Sequence, residues 1–244
     1  MKIKIINPDV NEEITAMMKE SAKAVASKET VITCTNPAAG PKSIDNAFTK
    51  EIACYHILEE IIKSEKEGSY DGYVIGCFAD PAVHAARELT DKPVVGIGES
   101  SIMLARFVSE NFSIITVGPW SRWVYKEVVS KCNAANRLAS LRSPVIASAD
   151  SFTNRDYVKE LIIRESRNAI EEDFAEVIIL GCGVMTGLAK EMEEIVKVPV
   201  IDPVAAGVKV VESLIGLGLH NSKIYSYKTP QNPELINVPG LLNL

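Results

Sequence analysis

The sequence has no long apolar run, no basic cluster, no closely paired cysteines and few histidines, and each shortage removes a class of protein. No hydrophobic stretch approaches the roughly 20 residues that span a bilayer, so no membrane association is expected. The run Met1–Asn7 is too short for a signal peptide and reads as a strand, which makes a cytoplasmic protein the expectation. Lysine and arginine total 26 against 32 acidic residues, a formal charge of −6, with no Lys/Arg face for a phosphate backbone; a nucleic-acid partner is not expected. The cysteines at 34, 54, 77, 132 and 182 are odd in number and form no CxxC pair, against both a disulfide framework and a structural zinc site. Histidines 56, 84 and 220 are scattered, with no Ser-His-Asp spacing and no metal-ligand cluster, so no metal is expected.

What is present is 244 residues of ordinary globular composition, enough for one large domain or two of about 120 residues. Two stretches stand out: Val74-Ile75-Gly76-Cys77 and its echo Ile178-Ile179-Leu180-Gly181-Cys182. Each is an apolar run, then Gly, then Cys, then a break before a helical pattern. In parallel α/β sheets ligands bind at the carboxyl ends of the strands, where these cysteines would stand. After Cys77, Asp80 suits a helix N-cap and Pro81 the first helical position, with Val83, Ala86 and Leu89 following; a helix start there would lower the thiol's pKa. A buried, inert cysteine is the alternative, and the recurrence favours chemistry.

The halves match in order. Strands open at Ile3 and Ile114, and Cys77 precedes Pro93 by 16 residues as Cys182 precedes Pro199 by 17. Asn7, at a strand's carboxyl end before Pro8, either faces a cleft or serves a turn. Asn11 caps a helix carrying Ile14, Met17, Met18, Ala22 and Val25. A strand over Thr30–Thr35, a loop through Ile44 and a helix from about Asn46 to Glu67 follow. Gly98-Glu99-Ser100-Ser101 opens another helix, and Asp202-Pro203 caps one as Ser100 does in the first half. Trp123 is expected to cover core at a helix start. A strand and turn are expected over Val145–Phe152, a long helix over Asp156–Glu171, and surface chain from Tyr225.

Inverting a carbon acid takes a base on one face and an acid on the other. Two thiols, one ionised, can divide that work near neutrality. Backbone amides after each cysteine would hold the enolate oxygen.

On Ile6-Asn7-Pro8, Gly40-Pro41-Lys42-Ser43-Ile44, Gly76-Cys77-Phe78-Ala79-Asp80-Pro81, Ala85-Ala86-Arg87-Glu88-Leu89, Gly98-Glu99 and Leu180-Gly181-Cys182-Gly183, the chain resembles the aspartate/glutamate/hydantoin racemase superfamily, in its hydantoin racemase branch, which includes allantoin racemase. The resemblance implies an α/β fold of two pseudo-symmetric parallel-sheet lobes with the active site in the cleft between them. Residues 1–97 with 208–244 would form lobe 1, carrying Cys77, and 98–207 lobe 2, carrying Cys182. It implies a cofactor-independent isomerase in which Cys77 and Cys182 are the acid/base pair and Asn7, Ser43, Ile44, Phe78, Thr116, Val117, Gly118 and Gly183 surround the substrate. Acidic amino acid racemases of the superfamily carry Cys-Asn-Thr after the first cysteine and Asp-Ser at the first strand end. Here Cys77-Phe78-Ala79 and Asn7-Pro8 suit a flat, neutral ring, so a 5-substituted hydantoin or allantoin, a cyclic ureide, is the expected substrate. Assembly as a homo-oligomer is expected. Rival readings are an amino-acid racemase, an arylmalonate decarboxylase or maleate isomerase-like enzyme, and a ligand-binding or thiol-redox protein.

Overall fold

Lys2–Ile6 forms β1, whose side chains are buried on both faces from Ile3 to Ile6, as an interior strand of a parallel sheet requires. Even Lys4 is inside, its ammonium bonded to Glu60 and to Ser64 Oγ at 2.8 Å and lying 4.9 Å from the Tyr70 ring. The computed structural model describes residues 1–118, 120–144 and 155–231. The remaining elements run α1 (Glu12–Val25), β2 (Val31–Thr35), α2 (Ala47–Glu67), β3 (Gly72–Ile75), α3 (Val83–Leu89), β4 (Val94–Gly96), α4 (Ile97–Val108), β5 (Phe112–Ile115), α5 (Ser121–Lys131), β6 (Leu138–Arg142), α6 (Arg155–Asp173), β7 (Val177–Leu180), α7 (Ala189–Val196), β8 (Val200–Ile201) and α8 (Pro203–Gly216). Among these residues no helix is long and apolar enough to cross a membrane.

The strands build two parallel sheets of identical winding, β2-β1-β3-β4 and β6-β5-β7-β8. The repetition reaches single hydrogen bonds. Gly76 N–H donates to Ile6 O at 2.8 Å and Gly181 N–H to Ile115 O at 2.7 Å, while Tyr73 and Ile178 donate to Pro93 O and Pro199 O. The α/β class and the duplicated order expected from the spacing of the Cys and Pro boxes are therefore present.

Contacts divide the chain into two compact units: 1–76 with 80–96 and 208–244, and 77–79 with 97–207. Cys77–Ala79, expected with the first lobe, thus group with the second unit. There Phe78 and Ala79 enter the core formed by Ile102, Ala105, Phe112, Ile114, Val124, Tyr125, Val177 and Ile179. On the sheet's other face Ile115, Ile178 and Leu180 pack with Ile162, Met185 and Met192. Strand alternation assigns these residues: odd and even neighbours of β5 and β7 face opposite helical layers. Fully burying one such side chain is worth about 1.5–3 kcal/mol. In the first unit Ile6, Ile57, Ile61, Tyr73, Ile75, Val83 and Val94 form the corresponding core.

Several local expectations need correction. Asp80 does not cap α3, which starts two residues late at Val83 with no side-chain cap. Asp80 and Ala82 both adopt left-handed backbone (φ 48° and 57°), and the Asp80 carboxylate lies against Gly96, 2.1 Å from where a Cβ would stand. Ser100 is not a cap either; α4 begins directly off β4, so Ser100 is a buried residue inside it. Trp123 is 80% exposed because the inward stripe of α5 is Val124, Tyr125, Val128 and Val129; Trp120 is the tryptophan that packs on the core. The strand and turn expected over Val145–Phe152 lie outside the described residues, as does the end of the tail.

Candidate functional site

In each sheet the chain winds outward from its first strand and then returns to that strand's other side. The switch points therefore lie between β1 and β3 and between β5 and β7, where a doubly wound sheet opens a crevice at its carboxyl edge. Asn7 and Cys77 follow β1 and β3 there; Thr116–Gly118 and Cys182 follow β5 and β7. Neither cysteine is in a disulfide, and both are half-buried.

Cys182 is extended (φ −148°, ψ 143°), and its carbonyl accepts the Met185 N–H at 3.0 Å, which starts the short 3-10 turn Gly183–Met185. Beyond the turn, Gly187 N–H donates to Asp202 Oδ2 at 2.6 Å. Asp202 Oδ1 also receives Val204 and Ala205 N–H at 2.9 and 3.1 Å, so the expected cap of α8 is present and also fastens the loop after Cys182. Before Cys182, the Gly181 carbonyl accepts the Tyr125 hydroxyl and that of Thr116 at 3.3 Å. Tyr125 in turn packs its ring on Phe78, with centroids 4.6 Å apart and planes tilted 46°. The residue after Cys77 and the residue before Cys182 therefore meet on one aromatic ring.

Within the second unit Thr116, Val117 and Gly118 follow β5, Cys182 and Gly183 follow β7, and Phe78, the chain neighbour of Cys77, packs on Tyr125. Thr116 is fully buried with its hydroxyl on Gly181, and Phe78 is core rather than surface. Gly118 takes φ 79°, and its carbonyl accepts the Ser121 and Ser143 hydroxyls, both at 2.6 Å. Within the first unit, the Asn7 amide donates to Asp9 Oδ1 (2.9 Å), Asn11 O (3.2 Å) and Thr15 Oγ1 (3.0 Å), bonds that build a turn. Burial pushes the Asp9 carboxyl up. Ser43 donates to Asp45, and Ile44 is half-buried beside it.

The other thiols differ. Burial pushes Cys34 up to about 12 and raises Cys54 as well. Among the described residues no three His, Cys, Asp or Glu side chains cluster in a way that could hold a metal ion. A groove of about 580 Å³ runs along β6 and α5, past Arg122, Lys126, Ser140 and Arg142, and neither Cys77 nor Cys182 lines it. Its Arg142 is already neutralised by Asp173 and Glu172, each at 2.6 Å.

No local sequence pattern marks the Tyr125 hydroxyl's role or the Asp202–Gly187 bond. A tyrosine in an apolar helical stripe reads as packing; the glycine before each cysteine was the signal available, since Gly181 is where the Tyr125 ring comes close.

Residues 3–211 match the model of the Asp/Glu/Hydantoin racemase family. The chain is 38% identical over 236 residues to a hydantoin racemase of Paenarthrobacter aurescens, covering 97% of this chain and 100% of that one. It is 39% identical, again over 236 residues, to a hydantoin racemase of Pseudomonas sp. (strain NS671), covering 97% and 94%. The structure of an allantoin racemase from Klebsiella pneumoniae superposes with a TM-score of 0.95 at 34% identity, over 100% of this chain and 99% of that one.

Proposed function

The chain belongs to the Asp/Glu/Hydantoin racemase family, whose named relatives are isomerases, and from that premise we propose that it racemises 5-substituted hydantoins, allantoin among them, by two-thiol proton transfer. The thiolate of Cys77 or Cys182 removes the C5 proton, which the neighbouring ring carbonyl acidifies. The electron pair moves into the enolate, and the other cysteine's thiol delivers a proton to the opposite face. One sulfur gains the proton the other loses, and exchange with solvent resets the pair; no electron acceptor or cofactor enters the balance. Main-chain amides after the cysteines stabilise the enolate oxygen.

The observation that carries the reading is the contact of Tyr125 with Phe78 and Gly181, the chain neighbours of Cys77 and Cys182, inside one compact unit. Five cysteines, none of them in a disulfide, support a reducing, cytoplasmic setting. The test is incubation of single enantiomers of 5-substituted hydantoins and of allantoin in D2O. Loss of optical rotation with deuterium entering C5, above the rate without enzyme, is the expected result. Unchanged rotation and no enzyme-dependent deuterium across the series would overturn the proposal.

A further inference from the structure

We propose that Tyr125 is a positioning residue for both cysteines: its hydroxyl fixes Cys182 through the Gly181 carbonyl, and its ring fixes the Cys77 turn through Phe78. The inference rests on the two-thiol reading above. Tyr125 is 7% exposed, and a buried phenol must find an acceptor. It finds one in the carbonyl of the peptide whose nitrogen belongs to Cys182. Filling the core between α5 and β7 would need only a phenylalanine; the hydroxyl does something more.

Both backbone groups of Gly181 are held, the N–H by Ile115 O at 2.7 Å and the carbonyl by Tyr125 with Thr116. A Cβ at position 181 would lie 3.0 Å from Tyr125 Cε2 and 2.8 Å from Ile114 Cγ2, so glycine is what admits this approach. The direction of the Cys182 Cα–Cβ bond depends on the plane of the peptide before it together with φ, here −148°. Holding that plane fixes the Cys182 N and Cα, and with the Cys182 carbonyl held by the Met185 N–H on the other side the Cα–Cβ direction is set as well. The ring acts separately: Phe78, 3% exposed, leans on Tyr125, and Cys77 is its chain neighbour. Proton transfer is sensitive to sub-ångström placement, so both anchors bear on rate rather than on affinity.

Tyr125→Phe removes the hydroxyl and keeps the ring; Tyr125→Leu removes both. With Tyr125→Phe, kcat is expected to fall about tenfold with KM within about twofold of wild type, as lost placement of a reacting group predicts. Deuterium exchange at C5 should drop for one enantiomer and persist for the other. Alkylation of Cys182 by iodoacetamide across pH, followed by peptide mass spectrometry, should shift against that of Cys77 in the same molecules. Tyr125→Leu should slow exchange of both enantiomers and shift both thiols. Wild-type kinetics and Cys182 alkylation in Tyr125→Phe would overturn the proposal, and so would equal shifts at both thiols, which signal general loosening. Should Tyr125→Phe melt at the assay temperature, Thr116→Val removes the second donor to the same carbonyl, and the relative alkylation of Cys182 decides. If wild type racemises no hydantoin, the functional reading fails while the alkylation comparison still decides whether Tyr125 positions Cys182.

Discussion

Asp202 reaches back 15 residues to Gly187, taking its N–H at 2.6 Å on one carboxylate oxygen while the other caps α8. One side chain thus joins the end of β8 to the loop that follows Cys182. Asp202→Ala is expected to lower stability by about 2–4 kcal/mol, the sum of a lost cap and a lost charge-assisted bond. Urea unfolding measures this. Asp202→Asn, which keeps one acceptor, should recover part of the loss.

Cys77→Ser and Cys182→Ser should each reduce racemisation by at least about a thousandfold, because serine's hydroxyl is far too weak an acid to exchange protons near neutrality. Each variant should keep C5 exchange of one enantiomer, and the two should keep opposite enantiomers. Chiral chromatography with NMR detection of deuterium distinguishes this from loss of folding, which would abolish both exchanges together.

Glu212, on α8, is 6% exposed and ties α8 to the end of α1 through Ser27 N–H (2.8 Å), Ser27 Oγ (3.0 Å) and Thr30 Oγ1 (2.6 Å), with Lys209 at 2.8 Å. Burial alone would push its carboxyl up, but these donors outweigh burial and hold it at about 2, against 4.5 ordinarily. A depressed carboxylate stabilises the fold above its unfolded pKa, and that stability is lost as pH falls through its folded one. The contribution, of order 3 kcal/mol, should be whole above about pH 4.5 and gone below about pH 2. Glu212→Gln should therefore lower the melting temperature at pH 7, with the gap to wild type closing as the pH falls through that window.

Cys34, held up at about 12 by burial, should react with iodoacetamide at pH 8 roughly a thousandfold more slowly than an exposed thiol. Cys34→Ala should leave racemisation within about twofold of wild type. Peptide mapping after timed alkylation, with a kinetic assay of the variant, checks both.

The sheets were legible because parallel strands read as short unbroken apolar runs, as at Val74-Ile75 and Val177–Leu180, each followed by Gly. The placement of the two cysteines just after β3 and β7 was legible because each run ends in Gly-Cys, with Pro93 and Pro199 in matching register. Asp80 was misread because local rules favour Asp-Pro at a helix start, whereas here the carboxylate lies at Gly96, far along the chain. Tyr125 went unnoticed for the same reason: its acceptor is 56 residues away, and no window of sequence contains both. Asn7 left two readings open, a cleft-facing amide or a turn residue, and the three partners of its amide lie 2 to 8 residues away, within a turn's reach.

The helix α8 starts among residues of the second unit and ends among those of the first. The amino-terminal 76 residues therefore lack a wall, and the carboxylate that closes α1, until position 212 has been synthesised. Residues 97–207, by contrast, are continuous. On the ribosome the half that emerges first is completed last, after a later-born neighbour has had the means to fold.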